Sequence, residues 1–200
     1  LKLPDGSDDP RESAYYLCAN RNKRSAAIDM ATPAGADLIR RLAAQADVLV
    51  ENFKVGSLAK YGLDYASIAA INPRIVYCSV TGFGQDGPYA NRGGYDFLAQ
   101  GMGGLMSVTG EADGPPLKVG VAMADLATGM YATVSILAAL RHAERTGEGQ
   151  QIDISLLDAG WRLGAGTLGT LPAALAVGVA LVGLAAVTMA LWWATGRWAG

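Results

Sequence analysis

A single histidine, His142, and two cysteines, Cys18 and Cys78, are all that 200 residues offer of the nitrogen and sulfur side chains that hold zinc and other soft metals. The two thiols show neither ligand spacing nor a disulfide framework, which fits a reducing compartment. Cys78 lies in Arg74-Ile75-Val76-Tyr77-Cys78-Ser79-Val80, a strand-like run where a small buried thiol is the ordinary occupant, so neither cysteine is taken as a nucleophile. Lys and Arg number 16 against 18 Asp and Glu, so the basic footprint of a nucleic-acid binder is missing. No Gly-x-Gly-x-x-Gly follows a strand, which disfavours a nicotinamide-dependent oxidoreductase. Gly101-Met102-Gly103-Gly104 follows Tyr95-Asp96-Phe97-Leu98-Ala99-Gln100, which reads as helix; its glycines suit a close approach of two elements and leave a phosphate cradle unsupported. Charge is absent between Arg162 and Arg197.

What is present alternates. The pattern predicts an extended run at 14–17, a strand near 25–29, and a helix over 33–45 with Thr32 as its cap and Pro33 in first position. A strand at 46–51, a short helix at 57–61 and a helix near 64–71 follow, then a strand at 75–80. A glycine-rich loop at 81–94 leads to a helix at 95–106, Gly114-Pro115-Pro116 interrupts the chain, and a strand at 150–156 closes the series. Strands alternating with helices imply an α/β fold with a largely parallel sheet.

Asp125 stands where the strand-like run Val119-Gly120-Val121-Ala122-Met123-Ala124 hands over to a helix. From residue 126 to 145 there is no Pro and one Gly, and Leu126, Met130, Val134, Leu137 and Ala138 fall at helical spacing. Asp125 is therefore expected as the N-cap of that helix, where free N–H groups stabilise a carboxylate by about 0.3–1 kcal/mol. Two roles share this position: a plain cap, or a nucleophile that attacks an acyl carbon while the helix N–H groups steady the oxyanion. Spacing does not choose between them.

Seven separated segments bear on the choice. Asn20-Arg21-Asn22-Lys23-Arg24-Ser25, Glu51-Asn52-Phe53-Lys54-Val55-Gly56, Ile71-Asn72-Pro73-Arg74, Gly82-Phe83-Gly84-Gln85-Asp86-Gly87-Pro88-Tyr89, Gly94-Tyr95-Asp96, Thr146-Gly147-Glu148-Gly149-Gln150 and Ser155-Leu156-Leu157-Asp158-Ala159 occur in an order that resembles the family III CoA-transferases. That group includes the formyl-CoA, carnitine and succinyl-CoA–dicarboxylate CoA-transferases. The resemblance spans about residues 13–159 and implies a Rossmann-like large domain, of which this chain carries part. It makes Asp125 the catalytic nucleophile, and acyl-CoA and a free carboxylic acid the substrates. Coenzyme A then enters as a thioester substrate, with no tightly bound cofactor and no metal. Asn52 and Phe53, with Lys54 beside them, match the family's contact with the nucleotide part of CoA at a strand end, where ligands of open α/β sheets sit. Ile28 and Ala31 fall where the family meets adenine, Ala31 replacing a lysine of the formyl-CoA transferases, and Lys60 falls at a phosphate-contacting basic position. Gly93 and Tyr95 complete the implied CoA set. The basic pair Lys23 and Arg24 is left outside it.

The resemblance also separates subfamilies. The α-methylacyl-CoA racemases, the alternative reading, carry a histidine acid/base where this chain has Tyr95, and a phenol of pKa near ~10 is a poor general base at neutral pH. Transfer is favoured over racemisation. An interlocked homodimer is expected of the full-length family, with a glycine-rich loop from its later half over the thioester. The family's opening strand and helix are expected ahead of Leu1, so the chain by itself is expected to be poorly active.

After Ala159 the motifs stop. Residues 160–200 hold all four tryptophans, and residues 171–194 are apolar apart from Pro172, Gly178, Gly183 and Thr188, long enough to cross a bilayer of roughly 30 Å. Three accounts of this tail stand: a membrane helix anchored by Trp192, Trp193 and Arg197, a shifted reading frame, or a buried helix, which the lack of a polar face opposes. An inactive membrane-tethered fragment is accordingly a further alternative. The expected location is cytoplasmic, or membrane-anchored through residues 171–194 if that segment is a true span.

Overall fold

The computed structural model describes residues 13–111 and 113–163. Helix α1 (Ala14–Asn20) opens it where an extended run was expected. The Ser13 hydroxyl accepts the Tyr16 N–H at 3.0 Å, and this cap settles the run as a helix. The strand expected at 25–29 is also missing. Asp29 turns the chain instead: its carboxylate accepts the Ala31 N–H at 3.0 Å, and its carbonyl accepts the Thr32 N–H and hydroxyl at 3.2 and 2.8 Å. Thr32 then caps helix α2 (Pro33–Ala43) as the sequence predicts, accepting from Gly35 N–H at 3.1 Å.

Strand β1 (Val48–Glu51), a 3₁₀ turn at Ala59–Tyr61 and helix α3 (Tyr65–Ile71) lead into strand β2 (Val76–Thr81). Helix α4 (Asp96–Met102) is shorter than the expected 95–106. Gly104 takes φ 82° and starts a separate 3₁₀ turn, Leu105–Val108. No strand forms over 119–123; helix α5 (Met123–Thr146) begins there, and strand β3 (Gln150–Ser155) and helix α6 (Leu156–Leu163) complete the described chain. The sheet is parallel with order β1-β2-β3. The expected α/β architecture with flanking helices is the one observed, and the apolar helix expected at 171–194 lies outside the described residues.

Two clusters hold the layers. On one face Ala43, Leu58, Leu63, Ile68 and Ile75 pack with Tyr77. The Tyr77 hydroxyl donates to the Leu63 carbonyl at 2.8 Å, and burial, then Glu51 and Asp64, push its ionisation well above the ordinary phenol range. On the other face Ala99, Ala124 and Leu156 close over Val80. Cys78 is buried in the central strand, and burial raises its thiol pKa, with Glu51 and Asp153 adding to the shift. Cys18 is exposed. A thiol reagent at neutral pH is therefore expected to label Cys18 in the native chain and Cys78 only after denaturation, as peptide mapping will show.

Helix α5 packs through small residues: Ala124, Ala127, Thr128, Ala132, Ala139 and Ala143 are its buried positions. The larger Leu126, Met130, Val134 and Leu137 point outward, Met130 with 71% of its surface exposed. Among the described residues α5 is the helix long and apolar enough to cross a membrane, by length and composition. A helix laid on a sheet meets the same criterion, so this is not evidence of a span.

The motifs divide between the two ends of the sheet. At the amino ends of the strands, Asn72 donates to the Ala43 and Ala46 carbonyls at 2.9 and 2.8 Å and fixes the end of α2. Gly147 ends α5 at φ 81°, and Gly149 N–H donates to the Pro73 carbonyl at 2.7 Å. These residues build the scaffold; the motifs at residues 51–56, 82–89, 94–96 and 155–159 lie at the carboxyl ends.

Candidate active site at the carboxyl ends of the strands

Val80 is the hub of that end. Its carbonyl accepts the Asn52 amide at 2.6 Å, tying the segment after β1 to β2, while its side chain packs against Ala124, the neighbour of Asp125. The loop 82–94 doubles back where Gly82 and Gly94 touch: a Cβ on Gly82 would lie 2.5 Å from the Gly94 Cα, so both positions need glycine. The Thr81 hydroxyl and the Asp153 carboxylate hold that loop by accepting the Gly84 and Gln85 N–H groups at 2.9 and 2.8 Å. Phe83 and Tyr89 pack with ring centres 5.4 Å apart and planes tilted by 57°, with Arg92 over the Tyr89 ring. Ser155 accepts the Asp158 N–H at 3.0 Å and starts α6, and Leu157 N–H donates to the Gly82 carbonyl at 3.1 Å. The close approach expected of the Gly101–Gly104 run is real: a Cβ on Gly103 would lie 2.9 Å from the Gly160 backbone, where α4 meets α6.

Asp125 is exposed, but it is not the N-cap. Ala122 holds that position, and Asp125 is the third residue of α5. The capping group comes from elsewhere: one Asp96 carboxylate oxygen accepts the Ala124 and Asp125 N–H groups at 2.7 and 3.2 Å. The Met123 and Leu126 N–H groups are taken by the Val121 and Ala122 carbonyls at 2.8 and 3.0 Å. All four first-turn amides of α5 are thus satisfied within the chain, so the expectation that they steady an oxyanion is corrected. Asp96 is a residue the sequence reading missed. It lies in the Gly94-Tyr95-Asp96 motif, but no local spacing announces that it caps a helix begun 27 residues later.

The Asp125 carboxyl is pushed above the ordinary carboxylate range, first by the packing around it and then by the like charge of Asp96. A raised carboxyl pKa means that ionisation costs the fold stability: this contribution is intact below the unfolded-state pKa and is lost as pH rises through the folded one. Asp125→Asn is therefore expected to leave the melting temperature at neutral pH unchanged or slightly raised, and to lose that advantage in acid. Solvent screening keeps the effect below about 1 kcal/mol.

The other candidate residues are spread around this end. Phe53 is exposed, and its N–H donates to the Glu51 carboxylate at 2.7 Å. Lys54 lines a cavity of about 320 Å³ with Glu51, Asp64, Tyr65, Ser79 and Gln85, and Asp125 is not among its walls. Lys60 lies on the 3₁₀ turn after β1, its ammonium 4.7 Å from the Tyr61 ring centre. Ile28 is partly buried and Ala31 exposed, both in the turn before α2. Gly93 has open space where a Cβ would stand, and Tyr95 is 80% exposed at the start of α4. The contacts join the residue after Tyr95 to the Asp125 segment and tie Asn52 to the neighbouring Val80 carbonyl; they do not join Ile28, Ala31 or Lys60 to that segment. His142 lies 17 residues beyond Asp125 on the same helix, about 25 Å away at a rise of ~1.5 Å per residue. Among the described residues no group of three or more His, Cys, Asp or Glu could hold a metal ion.

A parallel α/β sheet with an exposed carboxylate at its carboxyl edge, on the first turn of a helix held from a neighbouring helix, defines an α/β protein with an acidic strand-end site. The model of CoA-transferase family III matches residues 4–188, and the chain belongs to that family. It is 54% identical over 173 residues to the succinate–glutarate CoA-transferase of Agrobacterium fabrum, covering 79% of this chain and 43% of that protein. With the human succinyl-CoA:glutarate CoA-transferase the identity is 47% over 168 residues, covering 80% and 38%. A CAIB/BAIF family protein from Brucella suis superposes with a TM-score of 0.73 at 51% identity, covering 80% of this chain and 46% of that one. The chain spans less than half the length of these relatives.

Proposed function

We propose that Asp125 is the nucleophile of a CoA transfer between an acyl-CoA and a free carboxylic acid. The observation that carries this reading is an exposed carboxylate, accepting no hydrogen bond among the described residues, at the edge where Asn52 and the loop 82–94 converge. In the first step the Asp125 carboxylate attacks the thioester carbonyl and the C–S bond breaks, leaving an acyl-aspartyl anhydride and CoA thiolate. The thiolate then attacks the aspartyl carbonyl, the anhydride C–O bond breaks, and the donor acid departs as its carboxylate. The acceptor carboxylate attacks the aspartyl thioester in turn, and the released thiolate takes the new acyl group from the anhydride, freeing Asp125. No step moves a proton, so the cycle needs no general base, in keeping with the distance of the single histidine from Asp125. The raised pKa of Asp125 makes its ionised form the better nucleophile. The same distance weighs against racemisation, which requires an acid/base pair at one carbon.

The names of the relatives favour short dicarboxylic acids, succinate and glutarate, as the exchanging partners. Asn52, Phe53, Lys54, Lys60, Ile28, Ala31, Gly93 and Tyr95 are the proposed contacts of CoA. The outward apolar face of α5 supports a homodimer, because a stripe holding Leu126, Met130, Val134 and Leu137 is costly to leave in water. Isotope exchange between labelled succinate and succinyl-CoA tests the reading. Exchange that glutarate suppresses supports it, whereas release of free CoA without exchange contradicts it.

A further inference from the structure

We propose that Asp96 is the positioning residue of Asp125, holding the nucleophile's backbone from α4 so that its carboxylate stays unengaged; this rests on the role assigned to Asp125 above. Helix α5 starts with no side-chain cap of its own, because Ala122 stands at the N-cap and the preceding 117–121 segment pairs with no strand. Asp96 supplies what is missing. One of its oxygens takes the Ala124 and Asp125 N–H groups, and the other accepts the Gln100 amide at 2.6 Å. Gln100 is fully buried; its carbonyl oxygen accepts the Val119 N–H at 2.8 Å and its amide also reaches the Val121 carbonyl at 3.3 Å. Two side chains one helical turn apart on α4 therefore fix both the approach to α5 and its first turn.

The arrangement has a chemical consequence. An aspartate in the first turn of a helix tends to fold back and accept a free amide, which would engage the oxygens needed for attack. Asp96 occupies those amides first, and the Asp125 carboxylate accepts no hydrogen bond among the described residues. Asp96 also brings a like charge that raises the pKa of Asp125. Lys118 lies in the segment before α5, and Asp158 and Arg162 lie on α6, which packs against α5.

Variants of the chain separate positioning from charge. Asp96→Asn keeps an acceptor oxygen and removes the charge, and Asp96→Ala removes both. Amide exchange measured by NMR is expected to quicken about tenfold at Ala124 and Asp125 in Asp96→Ala, and much less in Asp96→Asn. In Asp96→Asn the ¹³C titration of the Asp125 carboxyl is expected to move to lower pH. Native exchange rates in a folded Asp96→Ala would overturn the assignment. If that variant does not fold, Asp96→Thr, whose hydroxyl falls short of the two amides, is read in its place, and native exchange rates at Ala124 and Asp125 in it overturn the assignment. Acylation by succinyl-CoA keeps the two claims apart. A wild-type chain that is never acylated at Asp125, with exchange and titration responding as stated, removes the nucleophile and leaves the positioning contact. A wild-type chain that is acylated, with Asp96→Ala matching its rate and pH profile, removes the positioning role alone.

Discussion

Asp125→Asn will abolish CoA exchange while leaving the fold intact. An amide cannot form the anhydride on which each half of the proposed cycle depends, so the expected loss is at least about a thousandfold, of the size seen when a covalent nucleophile is removed. The variant keeps the side-chain shape, and its backbone N–H still reaches Asp96, so circular dichroism and melting should match the parent. Asp125→Glu separates geometry from chemistry. Its carboxylate is present but displaced by one methylene from the site that Asp96 fixes, and a loss of about a hundredfold is expected from misplacement alone. Exchange rates over a range of succinyl-CoA concentrations check both values, with the loss falling on kcat.

The largest expected effect on stability lies at the opposite end of the sheet. A Cβ on Gly149 would stand 2.0 Å from the Ile75 carbonyl oxygen and 2.6 Å from the Arg74 carbonyl carbon, both of them backbone atoms. No rotamer change relieves that contact, and either β3 or the 73–75 turn has to move. Gly149→Ala is expected to cost about 3 kcal/mol or more, above the middle of the range for overpacking. That lowers the melting temperature by roughly 6–12 °C in a chain of this size. Gly129, in the middle of α5, is the control, because a Cβ added there would meet nothing within 4 Å. Gly129→Ala is expected to stabilise by about 0.5–1 kcal/mol through helix propensity. Thermal melts of the two variants, side by side, distinguish a steric need for glycine from a general cost of replacing it.

Much of the architecture is legible in the residues, and the failures share a cause. Thr32-Pro33 announces the start of α2 because cap and first position are local properties of the chain. The strands β1 and β2 are legible as apolar β-branched runs bounded by turn signals. A strand is expected at residues 25–29 as well, but a strand requires a neighbour to pair with, and Asp29 satisfies the backbone through a turn instead. Helix α5 shows the limit of periodicity. Its apolar spacing reveals a helix, yet the stripe of Leu126, Met130, Val134 and Leu137 faces outward and the alanines face the sheet.

The site divides in the same way. Asp125 is legible locally only as an acidic residue at a helix start; its part as nucleophile, like that of Asn52 as a CoA contact, is what the resemblance to the family implies. The Asp96 cap could not be read from spacing, since its two amide partners lie 28 and 29 residues along the chain and meet it only once α4 and α5 pack. The expected oxyanion role of the α5 amides failed for that reason: a helix terminus is open to a ligand only if the fold supplies no acceptor of its own.

The central claim is that Asp125 takes up an acyl group during turnover. Peptide mass spectrometry of the chain after incubation with succinyl-CoA and hydroxylamine reads this directly. A hydroxamate at Asp125, lost in Asp125→Asn, is the predicted result. Modification of a different carboxylate, with Asp125 unmodified, would contradict it.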